Sequence, residues 1–312
     1  MKKQAFFRFE ASILIGAGHA IRSCVLADAL VERGWICKVV TTVETYSFIS
    51  NLNRFDRIEP ESFYQNPLIC DLLVIDNYEL DQNYEKHFRP YAKKIMVIDD
   101  LANRKHDCDI LLDQTYGRDA NDYKELVPEY CKILVGSDYV LLRPEFVKLR
   151  QQALEKRRNT KKIKRILISL GGSDPNCYTL KALELVKESG FNGIVDVVLG
   201  FSENNVEKIQ QYVNSMVNKV NIHSNANMAS LIYEADLAVG AAGSSVWERC
   251  CLGLPQYLIQ TAENQNNVIK LFPNNKSEFY SIINTDYDKY IIDNDILIDG
   301  TGCAKVCSYL NV

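Results

Sequence analysis

No apolar run in this chain of 312 residues approaches the roughly 20 residues that a membrane-spanning helix needs. The best runs, such as Ile166 to Gly171, are strand-sized. At the amino terminus, Arg8 and Glu10 interrupt the stretch after Lys2 and Lys3 too early for a signal peptide. Basic residues are not in excess, 36 Lys plus Arg against 40 Asp plus Glu, which argues against a general nucleic-acid binder. The ten cysteines include no CxxC pair, and only four histidines are present, so the spacing of a zinc site is missing. Nor is there an acidic pair suited to magnesium. The expectation is therefore a cytoplasmic protein without membrane insertion, metal or cofactor, its thiols mostly small buried side chains in a reducing compartment.

What is present has an ordinary globular balance, with 47% hydrophobic and 24% charged residues and length for two domains. Strand-sized apolar runs alternate with helix-sized amphipathic ones. Ala5 to Phe9 reads as a strand, Ala20 to Glu32 as a helix stopped near Gly34, and further strands follow at Trp35 to Thr41, Asp71 to Ile75, Ile95 to Ile98, Ile110 to Leu112 and Lys132 to Val135. Several are apolar throughout, as in a parallel sheet covered on both faces. The run from Lys156 to Arg165 holds seven basic residues; we read it as a solvated helix end and linker rather than an anion-binding patch, because no aromatics are interleaved. After it the pattern restarts with strands at Ile163 to Leu170, Val195 to Leu199, Val220 to His223, Leu237 to Val239 and Gln256 to Gln260. Two βα arrays, each with a glycine-rich first loop, predict two doubly wound, Rossmann-like α/β domains facing a cleft, over 1–152 and 160–312.

Three loops carry the chemistry. In Gly16-Ala17-Gly18-His19-Ala20-Ile21-Arg22 the third glycine of a dinucleotide fingerprint is replaced by Ile21, and the second strand ends in threonines rather than an acid. What remains is a glycine loop that lets backbone approach a ligand, with an imidazole at the helix start. Histidine ordinarily titrates near neutrality, so His19 is the candidate base. In Gly171-Gly172-Ser173-Asp174 small residues leave room for a diphosphate at a helix start. The third loop, Gly243-Ser244-Ser245-Val246-Trp247-Glu248, follows an apolar strand and opens a helix ended by Gly253-Leu254-Pro255. Its hydroxyls and free helix amides suit a phosphate. Glu248 is placed either to accept from a ribose diol or to close a capping box with Ser244 or Ser245. Asn264 and Gln265 offer amides to sugar hydroxyls or acetamido groups.

Taken together, Arg8 to Ser12 with Gly16 to Arg22, Asp99-Asp100-Leu101-Ala102-Asn103-Arg104, Cys108 to Asp113, Tyr139 to Phe146, Gly171 to Pro175, Gly243 to Pro255 and Asn264-Gln265 resemble the UDP-2,4-diacetamido-2,4,6-trideoxy-β-L-altropyranose hydrolases of pseudaminic acid biosynthesis. The resemblance covers most of residues 5 to 270. Glu10 stands where that pattern has Asp, and the segment from Leu271 is given no role. The family is similar in fold to GT-B glycosyltransferases, including the lipid II-forming N-acetylglucosaminyltransferase. The resemblance implies a GT-B-like clamp in which the second domain holds the nucleotide. It also implies that His19 activates water, Glu248 holds ribose, Ser244 and Ser245 hold the diphosphate, Met228 lies near the uracil, and Asn264 and Gln265 face the sugar. Gly16, Gly18, Arg22, Tyr78, Arg143, Gly172 and Ser173 complete the implied substrate-binding set. Water would then displace UDP from a UDP-linked diacetamido sugar with inversion, in a pathway serving bacterial surface glycosylation. A glycosyltransferase using a UDP-amino sugar donor is the alternative, and a non-catalytic UDP-sugar sensor a third reading.

Overall fold

A computed structural model describes residues 2–12, 15–49, 51–171, 174, 176–200, 205–224, 226–261, 265–284 and 298–310. The apolar runs become twelve strands in two sheets, parallel throughout among the described residues. The chain divides into one unit of Met1–Leu142 with Gly300–Val312, and a second of Arg143–Asp299.

In the first unit, β1 (Gln4–Phe9), β2 (Ile36–Val40), β3 (Asp56–Ile58), β4 (Cys70–Asp76), β5 (Ala92–Ile98), β6 (Ile110–Asp113) and β7 (Lys132–Val135) line up in the order β3-β2-β1-β4-β5-β6-β7. Helix α1 (Gly18–Glu32) connects β1 to β2 and buries Ala20, Leu26, Ala27 and Leu30 against the sheet, while the shorter α2 (Val43–Phe48), α3 (Pro60–Gln65) and α4 (Gln82–Phe88) follow β2, β3 and β4. Gly34, at φ +85°, lets the chain reverse after that helix. The residues lining one face, among them Phe7, Phe9, Val39, Leu72 and Val74, and those lining the other, among them Phe6, Leu73, Ile75 and Val97, are all buried. That double covering is why these strands read as continuous apolar runs. The three-residue β3 carries too little pattern to be read from sequence.

In the second unit α5 (Pro144–Asn159) leads to β8 (Arg165–Ser169), followed by α6 (Tyr178–Glu188), β9 (Ile194–Val198), α7 (Val206–Asn214), β10 (Lys219–His223), α8 (Met228–Glu234), β11 (Leu237–Ala241), α9 (Ser245–Cys251) and β12 (Gln256–Ile259). The sheet order is β10-β9-β8-β11-β12. Two short helices, α10 (Asn266–Ile269) and α11 (Lys276–Asn284), complete it, and Phe279 and Ile282 of α11 enter its core.

The division falls elsewhere than the composition suggests, at two places. Helix α5 belongs wholly to the second unit and packs on α8 and α9. Its basic end is mostly solvated, with Arg158, Lys161, Lys162 and Lys164 exposed, but Arg157 is 1% exposed and donates to the carbonyls of Ile232 (2.7 Å) and Ala235 (2.5 Å), while Lys156 Nζ donates to Tyr233 O (2.7 Å). These cations occupy the orphan carbonyls at the end of α8. The last helix, α12 (Gly302–Tyr309), instead packs on α1, placing Val306, Cys307 and Leu310 in the first unit's core.

The ten cysteines are free, and Cys24, Cys37, Cys70, Cys108, Cys250, Cys251 and Cys307 are buried. No helix among the described residues is long and apolar enough to cross a membrane.

Candidate active site

A parallel sheet whose strand order reverses leaves a crevice at the carboxyl ends of the strands flanking the reversal. In the first unit those strands are β1 and β4. The chain leaving β1 closes a small loop, Gly16 N donating to Ser12 O at 2.8 Å with Gly16 at φ +83°, and enters α1 at Gly18. Helix α1 starts without a side-chain cap or an acidic residue in its first turn, so its open amides are not neutralised locally. His19, 7% exposed, lies in that first turn.

The last residue of β4 is Asp76, which has no solvent exposure and gathers the site around it. His19 Nδ1 lies 2.5 Å from Asp76 Oδ1; Arg22 donates from Nε to Oδ2 at 2.7 Å and from Nη2 to Oδ1 at 2.6 Å; Ser23 adds a hydroxyl at 3.2 Å. Burial alone would push the Asp76 carboxyl up, but Arg22 and His19 outweigh it and hold it well below the usual range. An ionised carboxylate only accepts, so Nδ1 carries the proton and the imidazole lone pair sits on Nε2. Among the described residues Nε2 has no hydrogen-bond partner. Tyr78 packs edge-on against the imidazole, ring centroids 4.5 Å apart, and burial followed by the Asp100 charge pushes its phenol up. Asp100 in turn accepts from Arg22 Nη1 at 2.9 Å. The structure thus brings Gly16, Gly18, His19, Arg22 and Tyr78 together.

Sequence reasoning missed Asp76 as the residue orienting the imidazole. Its signal was an acid ending an apolar strand, which is also how an ordinary strand ends. The conspicuous acids have quieter work. Glu10 accepts from Thr45 Oγ1 at 2.6 Å and from Thr41 and Thr42, tying the end of β1 to the chain after β2. Asp99 pairs with Arg104 at 2.7 Å and with the buried Tyr123 hydroxyl at 2.9 Å, pinning the loops after β5 and β6.

In the second unit the reversal lies between β8 and β11. The loop after β8 passes through Gly171 at φ +102°; Gly172 and Ser173 lie outside the described residues, as does Asn264. The start of α6 is not an open anion seat: Asp174 accepts from the amides of Tyr178 (2.7 Å) and Thr179 (2.8 Å). A small hollow of about 10 Å³ lies beside it, lined by Gly171, Asp174, Val198 and Asn205 among others.

The loop after β11 is the emptier one. Ser244 occupies the cap position of α9, but its hydroxyl makes no capping bond, and no capping box forms with Glu248. The amides of Val246 and Trp247 are taken by Gly243 O (3.0 Å) and Ser244 O (3.2 Å), leaving those of Ser244 and Ser245 as the open donors among the described residues. Fewer helix amides are therefore free than the sequence suggests. Glu248 accepts from Arg143 Nη2 at 3.0 Å instead, and burial pushes its carboxyl up against the pull of Arg143. Gln265 folds onto Thr261, accepting from its amide at 2.8 Å, and a Cβ on Gly243 would sit 3.8 Å from Gln265 Nε2. So Arg143 and Glu248 meet directly, and Gln265 adjoins the Gly243 turn. Met228 opens α8, half-buried, on the chain leaving edge strand β10, three places from β11.

No family model matches the chain. It is 31% identical over 288 residues to an uncharacterised protein of Methanocaldococcus jannaschii, a match covering 82% of this chain but 55% of that relative, so the chain spans little more than half its length. It is 29% identical over 275 residues to the UDP-2,4-diacetamido-2,4,6-trideoxy-β-L-altropyranose hydrolase of Campylobacter jejuni, covering 85% of this chain and 94% of the relative. With the spore coat polysaccharide biosynthesis protein SpsG of Bacillus subtilis it shares 26% over 274 residues, 82% of this chain and 77% of SpsG. Among solved structures, MurG of Acinetobacter baumannii superposes with a TM-score of 0.66 at 12% identity, over 100% of this chain and 99% of MurG. The UDP-GlcNAc 2-epimerase of Neisseria meningitidis, bound to UDP-GlcNAc, gives 0.62 at 13% identity, over 100% of both chains. Identities this low speak for the fold alone. By sequence the chain is a relative of the Campylobacter hydrolase and of SpsG, and by architecture it has a GT-B-like fold of two parallel-sheet α/β domains.

Proposed function

We propose that the protein hydrolyses UDP-2,4-diacetamido-2,4,6-trideoxy-β-L-altropyranose to the free sugar and UDP, with inversion, as a step of pseudaminic acid biosynthesis in the cytoplasm. The observation that carries this reading is the buried Asp76 carboxylate on His19 Nδ1, which leaves a lone pair at Nε2 in a chain 29% identical to that hydrolase. Water gives its proton to Nε2 while its oxygen forms a bond to the anomeric carbon. The bond from that carbon to the diphosphate oxygen breaks, and its electron pair leaves with UDP. Asp76 holds the imidazole tautomer and steadies the imidazolium formed, with Arg22 fixing the carboxylate.

The first unit would supply the base and the second the nucleotide site. Ser244 and Ser245 receive the diphosphate, Glu248 the ribose hydroxyls with Arg143 aligning its carboxylate, and Gln265 the sugar together with Asn264, Gly172 and Ser173. Charge developing on UDP is met by hydroxyls and open amides.

The likeness in fold to MurG supports a second reading, a glycosyltransferase with a UDP-amino sugar donor, in which an acceptor hydroxyl replaces water. Incubating the protein with the UDP-sugar alone separates the two. UDP release without acceptor, with the anomeric configuration inverted when followed by NMR, supports the hydrolase; release only on adding an acceptor supports the transferase; binding without turnover leaves a sensor.

A further inference from the structure

Arg249, one residue past Glu248, is 1% exposed, and it has no carboxylate partner among the described residues. Its contacts are all to neutral groups: Nε donates to Gln256 Oε1 at 2.5 Å, Nη2 to Ala241 O at 2.8 Å, and Nη1 to Ser245 Oγ at 3.1 Å. The chain makes room for it. A Cβ on Gly240 would lie 2.5 Å from Nη1, so the guanidinium fills the space where β11 has no side chain. Burial lowers the Arg249 pKa to about 10, which leaves the group charged at neutral pH.

A buried cation with no carboxylate in hydrogen-bond contact is costly, and the neighbouring Glu248, whose charge favours the ionised guanidinium, is itself paired with Arg143. An apolar side chain of similar volume would fill the same space without the desolvation penalty. The three hydrogen bonds give each guanidinium nitrogen one acceptor, for three of its five N–H groups, but do not neutralise the charge. The contact to Ser245 has a further consequence. A serine hydroxyl has a single hydrogen. Because Oγ accepts from Arg249, that hydrogen points away from the guanidinium, and no acceptor for it exists among the described residues.

We infer that Arg249 is a positioning residue for the diphosphate of the nucleotide: it holds the Ser245 hydroxyl as a donor toward the phosphate oxygens and supplies their counter-charge from beneath the turn. The inference rests on the proposed seating of UDP in the second unit and deepens it. Arg249 does not touch the ligand. It acts through Ser245 Oγ and through its field, which is weakly screened at a buried position. A staple joining β11, α9 and β12 would make the same three bonds, and the two roles diverge in what they do to different ligands.

Calorimetric titration with UDP, and with uridine up to millimolar concentration, distinguishes them. Arg249→Gln should weaken UDP binding about tenfold or more, the range of a charge-assisted hydrogen bond, and leave uridine within about twofold. Arg249→Lys, which keeps the charge but not the fork, should fall between the two. In a Ser245→Ala background the Arg249→Gln effect should shrink to the part carried by the field of the guanidinium, because the hydroxyl that it orients is gone. Should Arg249→Gln fail to fold, Gly240→Ala displaces the guanidinium and should reproduce the selective loss of UDP affinity. Wild-type-like UDP affinity in Arg249→Gln, or equal losses for UDP and uridine, overturns the inference while leaving the nucleotide seat intact. A wild-type protein that binds no UDP overturns the seat and the inference together.

Discussion

At the carboxyl end of β4 in the first unit, two cation-forming side chains close on one buried carboxylate; at the carboxyl end of β11 in the second, a buried guanidinium meets only neutral oxygens. The two sheets reverse strand order in the same way, so both place a crevice beside a helix start. Topology therefore fixes where a ligand can sit, and side-chain charge fixes what it can be. The first crevice is internally compensated: Asp76 is balanced by Arg22, and Arg22 is shared with Asp100. Such a network holds an imidazole still and presents its lone pair. The second holds a positive charge at Arg249 with no hydrogen-bonded carboxylate, and in the proposed seating the anion of the nucleotide completes it.

The comparison predicts that substitutions in the first unit change turnover and those in the second change affinity. The largest effect should come from His19→Asn, lowering kcat by about 10²–10⁴ with UDP affinity unchanged, measured by UDP release and calorimetry on the same preparation. An equal loss in affinity would dissolve the contrast. Asp76→Asn should cost turnover of the same order, because an amide no longer dictates the tautomer. It should also destabilise the fold, leaving Arg22 buried with half its pairing lost. The pH dependence has a definite sign. The folded state holds Asp76 below the value it has when unfolded, about 3.9, so its stabilisation is complete above that pH and is lost as the pH falls through the depressed folded value. Acid unfolding of Asp76→Asn should lack that contribution, and matching acid limbs in the two proteins would contradict the assignment.

Next in size is Glu248→Gln, expected to weaken UDP about 10- to 50-fold with kcat on saturating substrate little changed. Burial raises the Glu248 pKa, so protonation begins at a higher pH than for an exposed glutamate. Affinity for UDP should accordingly decline on the acid side before exposed carboxylates titrate, and Glu248→Gln should show no such decline. A pH-independent wild-type affinity would remove Glu248 from the ribose.

Both crevices were partly legible in the amino-acid sequence, for different reasons. His19, Arg22 and the Gly16 loop announce themselves because glycines and an imidazole at a strand-to-helix turn have few structural uses. Asp76 was silent because the partner that gives it meaning lies 57 positions earlier. Around β11 the residues were readable but their pairing was not. Glu248 has a local partner within its own helix and a distant one in Arg143, and the distant one wins. The same applies to the basic run. Seven charges in ten residues suggest solvent, yet the carbonyls closing α8 draw Arg157 inward, and only the fold brings them near.

The smallest expected effect tests how the first unit is completed. Its last helix, α12, comes from the far end of the chain and starts at Gly302, where a Cβ would lie 2.4 Å from Val140 O and 2.7 Å from Tyr139 C. Those are backbone atoms, so no side chain can rotate to relieve the contact, and α12 must lift from its seat. The residues it would expose, Val306, Cys307 and Leu310, belong to the same core as Leu26 and Leu30 of α1. Gly302→Ala should therefore lower stability by about 1–3 kcal/mol, the usual cost of forcing a methyl group into a packed site. Hydrogen exchange should speed up in α12 and in the face of α1 beneath it, while α9 and β11 keep their protection and UDP affinity stays as it was. Exchange that rises in α9 instead would show that α12 supports the second unit, and the contrast between the two units would have to be redrawn around that helix.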